Sequence, residues 1–156
     1  MSTNSLRSCE RPGSLTTARL WKGRLRTASA MLALSTAQFA VSFVPLHRWR
    51  GNLGTKNHNR SKPSPEGSAV EACRRSAAIV ERAAERLPFN TKCLPRAVAL
   101  SWLLRRKSLH HTVVLAVRPP HLRSSADALH AWVEVDGAKI LGDLPGPWLE
   151  TLRLGD

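Results

Sequence analysis

At 156 residues, with 42% hydrophobic content, the chain suits one domain with a sizeable core. Its net charge of +13 is uneven: residues 1–60 carry ten Lys and Arg against one acid, Glu10, whereas residues 61–156 carry fourteen against ten acids. The basic third has no RNP-like aromatic motif and no zinc-finger spacing, which argues against nucleic acid as the partner. Three widely spaced cysteines, Cys9, Cys73 and Cys93, exclude a disulfide framework and fit a reducing compartment.

Residues 1–18, rich in Ser, Thr and Arg, read as a disordered basic tail, and 19–60 as a basic-then-apolar helical region with a linker. Thr27 to Leu46 carries no charge and follows Arg19, Lys22, Arg24 and Arg26, but Thr27, Ser29, Ser35, Thr36, Gln38 and Ser42 dilute it. That dilution favours a helix packed on the domain or resting on a membrane surface over a transmembrane span. Pro45 stops the helix, and the polar text from Arg48 to Gly67 reads as linker.

Residues 61–156 read as the main domain. Ser68 and Glu71 form an S-x-x-E capping box. Val70, Cys73, Ala77, Val80, Ala84 and Leu87 then make one apolar stripe, ended by Pro88, and Cys73 reads as a small core residue. A second helix runs from Cys93 or Leu94 to about Lys107, with Pro95 in its first turn. Residues 113–117 read as a buried strand, 121–128 as loop, and 129–135 and 138–143 as a hairpin turning at Asp136-Gly137.

A regular two-residue hairpin sets Glu134 opposite Lys139 as a salt bridge, Val133 opposite Ile140, and Trp132 opposite Leu141. It also sets His130 opposite Asp143, in a non-hydrogen-bonded pair where side chains approach closely. A β-bulge would shift that count. Cys93 stands at a helix N-terminus, where unpaired N–H groups, the dipole and the nearby Lys92 and Arg96 favour a thiolate. Sulfur, imidazole and carboxylate together match an activated nucleophile, its base and the group that orients the base. Asp136, the rival acid, is needed in the turn. Asn90 is the side-chain candidate for an oxyanion contact, and Trp132 either lines the substrate groove or covers Leu141. The adjacent His110 and His111 read as exposed residues at a helix-to-strand junction rather than metal ligands.

KCLPRAVALSWLLRRK followed by ALHAWVEVDGAKILGD resembles the catalytic, transglutaminase-like half of lasso-peptide biosynthesis B proteins, over roughly residues 65–145. The resemblance implies an α+β, papain-like or transglutaminase-like core: N-terminal helices, a central helix bearing the cysteine, and an antiparallel sheet bearing His and Asp. It implies a Cys93-His130-Asp143 triad that removes the leader from a ribosomally made precursor peptide in the bacterial cytoplasm, with no cofactor or metal. It further implies a separate small winged-helix leader-binding protein, since residues 1–60 hold no such domain, and an asparagine-synthetase-like macrolactam cyclase. Two other readings stay open. One is amide exchange at the same site, with an amine as acyl acceptor; the other is a non-enzymatic basic binding protein.

Overall fold

The computed structural model describes residues 14–56, 67–122 and 128–155. Helix α1 (Ser14–Phe43) is followed by a short α2 (Leu46–Trp49), a 3-10 turn (Arg50–Leu53) and a two-residue strand β1 (Thr55–Lys56). Helices α3 (Gly67–Arg86) and α4 (Cys93–Arg105) precede β2 (Thr112–Val117), β3 (Leu129–Val135), β4 (Ala138–Leu141) and β5 (Leu149–Gly155). The strands form one antiparallel sheet in the order β1-β5-β2-β3-β4. This is the mixed helix-and-antiparallel-sheet architecture expected from the sequence.

Helix α4 is apolar on nearly every side. Ala97, Val98, Ala99, Leu100, Ser101 and Leu104 are all buried, as a helix enclosed by protein requires. It packs against α1, α3 and β3. The α3 stripe turns inward as its spacing predicts: Cys73, Ala77, Val80 and Ala84 are core residues, and Val70 and Leu87 pack at its margin. Ser68 falls inside α3, which begins at Gly67, so the capping box is displaced; the Ser68 side chain lies outside the described residues. On β3, successive side chains alternate between faces. Ala131, Val133 and Val135 join the helix-side core, while Trp132 joins Val114 and Ala116 on the other face, with Trp148 packed against them.

Four expectations change. Helix α1 starts at Ser14, within the stretch read as tail, and Ala30, Leu34 and Ala37 bury one side of it in the domain core; residues 1–13 lie outside the described residues. The stretch read as linker is structured in its first part, because Trp49 and Leu53 are buried and β1 pairs with β5; 57–66 lie outside the described residues. Strand β5 was not foreseen, although Leu152 and Leu154 alternate there with Thr151 and Arg153. His111 is buried rather than exposed. Its Nδ1 donates to the Leu109 carbonyl at 2.8 Å, so its Nε2 accepts from the Ser101 hydroxyl at 2.7 Å. His110 is exposed.

Candidate active site

The Asp136-Gly137 turn forms as read, with φ of 51° and 79° at its central residues, the pattern of a type I′ hairpin. Glu134 faces Lys139 and Val135 faces Ala138. The register then slips, and Val133 faces Leu141 instead of Ile140. One extra residue on β4 therefore moves every later position along by one.

Carried on past Leu141, the slip sets Gly142 across from Trp132 and takes Asp143 away from the position opposite His130. Nε2 of His130 lies 2.7 Å from the Gly142 carbonyl oxygen. A carbonyl only accepts, so Nε2 carries the hydrogen and Nδ1 holds the lone pair that can take a proton. Gly142 has φ of +78°, and a Cβ there would meet the Ala131 carbonyl oxygen at 2.8 Å and Trp132 Cβ at 3.2 Å. Only glycine allows this approach without a shift. Asp143 lies one residue further on. Its carboxylate pairs with Lys139 Nζ at 3.2 Å and its side chain is 76% exposed. The partner expected across from His130 is thus engaged elsewhere in this arrangement, and a backbone oxygen orients the ring.

His130 is 8% exposed and packs between two indoles, with ring centroids 4.9 Å from Trp148 and 5.9 Å from Trp132. The Arg118 guanidinium covers Trp148, 4.4 Å from its centroid. Sequence reasoning missed both Gly142 and Trp148. The glycine following a hydrophobic strand and the aromatic residue near the chain's end were their only signals.

Cys93 is the first residue of α4, and the Lys92 side chain makes no capping hydrogen bond there. Its Sγ lies 4.0 Å from the carbonyl oxygen of Leu129, the residue immediately before His130. No hydrogen bond joins sulfur to imidazole among the described residues: the His130 ring lies on the Trp132 face of β3, α4 packs on the Ala131 face, and His130 does not line the cavity beside Cys93. Cys93 also lines a cavity of about 400 Å³ with Gln38, Val41 and Ser42 of α1, Leu94, and Leu129. The loop before α4 is tied down by Arg96, whose guanidinium bonds Thr91 Oγ1 and Glu81 Oε2, each at 3.0 Å. Arg96 was expected to add positive charge beside the thiol; Glu81 instead neutralises it, and Lys92 is exposed.

The remaining sequence candidates sit away from the sulfur. Asn90 is exposed before α4 and does not line the cavity. Trp132 is 2% exposed, donates from Nε1 to Glu134 at 2.6 Å and carries Lys139 Nζ 5.0 Å from its ring centroid. It supports His130 from beneath rather than lining the cavity. The expected Glu134–Lys139 salt bridge is replaced, since Glu134 pairs with Arg153 and Lys139 with Asp143.

A family model, that of the transglutaminase-like superfamily, matches residues 33–150, which span the second half of α1, the α4 cysteine, the β3 histidine and the start of β5. The chain belongs to the transglutaminase-like superfamily. That superfamily includes cysteine peptidases and acyl transferases, and its catalysis is generally cysteine-based. No curated protein and no solved structure matches the chain. A transglutaminase-like domain is consistent with a papain-like core, and in this chain Cys93 opens α4 while His130 lies on β3. No described helix is long and apolar enough to cross a membrane.

Proposed function

We propose that this chain is a cysteine peptidase that cleaves the leader from a ribosomally made lasso-peptide precursor. The observation that carries the chemistry is the meeting of the α4 N-terminus with the start of β3, where Cys93 Sγ touches the residue preceding His130. The substrate class is supported by the likeness of the C-L helix and the H-A-W-V-E strand to lasso B proteins.

The Cys93 thiolate attacks the scissile carbonyl, forming an S–C bond and a tetrahedral oxyanion. The amides of Cys93 and Leu94, at a helix start with no side-chain cap, can donate to that oxygen. His130 Nδ1, having taken the thiol proton, gives it to the departing amine as the C–N bond breaks. The same nitrogen then takes a proton from water as it attacks the thioester, and returns it to sulfur. Throughout, the Gly142 carbonyl holds Nε2–H and so fixes the tautomer. Asp143, exposed and paired with Lys139, takes no part in holding the ring. A separate leader-binding protein would deliver the substrate and a cyclase would consume the product.

The test is to incubate the protein with a lasso precursor and its leader-binding protein, with and without a primary amine, and to follow products by mass spectrometry. A leader and a free-amino core support the reading. An amine-linked acyl product alone assigns amide exchange instead. Cleavage that persists in Cys93→Ala removes the thiol mechanism.

A further inference from the structure

We propose that the outward face of α1 docks this protein on an anionic lipid surface. Trp21, Leu25, Leu32, Phe39 and Phe43 are all more than half exposed, from 56% to 73%. At 100° per residue these five positions fall within an arc of about 40° and extend along about 33 Å of helix. Ala30, Leu34 and Ala37 occupy the opposite side, buried in the core, so the stripe is not a margin of that core. It is a second apolar face.

Three hydroxyls of this helix bond its own backbone. Thr36 donates to the Leu32 carbonyl at 2.8 Å, Ser29 to Arg26 at 2.9 Å and Thr27 to Gly23 at 3.2 Å. Each returns its hydrogen bond to its own helix and needs no water partner. Phe39 and Phe43 stack on each other, with centroids 4.9 Å apart.

Charge selects the occupant. Helix α1 contains no Asp or Glu, and its only charges, Arg19, Lys22, Arg24 and Arg26, lie in its first half. A second copy would therefore set cation against cation, or against an uncharged half, with no acid to pair. The groove of about 370 Å³ that Arg24 and Arg26 share with Arg82 and Arg86 lies on the α3 side of α1, away from the stripe, so the cations that serve the stripe are those of α1 itself. An apolar stripe with Trp and Phe, cationic at one end and too polar to span, matches a helix lying in an anionic bilayer interface.

The full chain is sedimented with vesicles of phosphatidylcholine alone or containing about 30% phosphatidylglycerol. The bound fraction should be high only on the anionic vesicles and should fall in high salt. Leu32→Ser with Phe39→Ser, at solvent-facing positions, should lower it roughly tenfold or more while circular dichroism stays unchanged. Arg24→Glu with Arg26→Glu should remove the preference for anionic lipid. Protein left in the supernatant with both vesicles overturns the proposal, as does binding that ignores the Leu32/Phe39 change. A dimer in analytical ultracentrifugation, lost in the Leu32/Phe39 variant and unaccompanied by vesicle binding, assigns the face to a second copy and equally overturns it.

Discussion

Gly142 links backbone conformation to chemistry. Its left-handed φ and its contact with the Ala131 carbonyl leave no room for a methyl group, and its own carbonyl sets the His130 tautomer. Gly142→Ala should therefore cost about 1–3 kcal/mol of stability and displace the ring, lowering kcat more than the fold loss explains. Urea unfolding alongside precursor-cleavage kinetics measures both. Asp143→Asn separates the backbone oxygen from the carboxylate as the orienting group. The account expects a loss below about tenfold, whereas removal of a carboxylate orienter of the triad type costs about 10⁴. Cys73 is a fully buried core thiol. Burial pushes its thiol up from 9.0, Lys107 opposes this and Asp136 adds to it. Above about pH 9 the unfolded chain releases that proton while the folded chain retains it, so stability present below this pH is lost as pH rises. Denaturant unfolding at pH 8 and pH 10 should show a smaller loss in Cys73→Ala than in the unaltered protein.

At the scale of elements, α4 carries the site on a helix buried on nearly all sides. Leu100 and Leu104 are fully buried, and truncating either to Ala should cost about 2–5 kcal/mol, read as a lower urea midpoint. The 3.6-residue stripe of α3, the Pro95 start of α4, and the Asp136-Gly137 turn were legible because each rests on local chemistry. The Val133-to-Glu134 register slip was not, because a bulge is set by packing across strands rather than by the residues of the turn. That single slip is why Asp143 does not stand opposite His130. Arg153 was illegible for a similar reason. It lies on an unforeseen strand, yet its guanidinium links Glu134 and Glu150. Burial alone would weaken its charge, but the hydrogen bonds to the two carboxylates prevail and raise its pKa.

At the scale of the whole molecule, α1 is part of the domain, since the matched family region begins within it and Leu34 is fully buried. Leu34→Ala should cost about 2–5 kcal/mol, whereas Leu32→Ala on the outward face should change stability by less than about 0.5 kcal/mol. Thermal unfolding of the two variants checks this contrast. Sequence composition separated the basic third from the remainder but did not show which apolar residues of α1 turn inward. Helical spacing allows two faces there, and only the packing of α3 and α4 chooses between them.

The coupling of sulfur to imidazole is tested most directly by the alkylation rate of Cys93, followed by mass spectrometry of its peptide, in the unaltered protein and in His130→Ala. If His130 takes the thiol proton, the variant reacts at least about tenfold more slowly at neutral pH while its fold is intact. Equal rates in the two proteins would contradict the account.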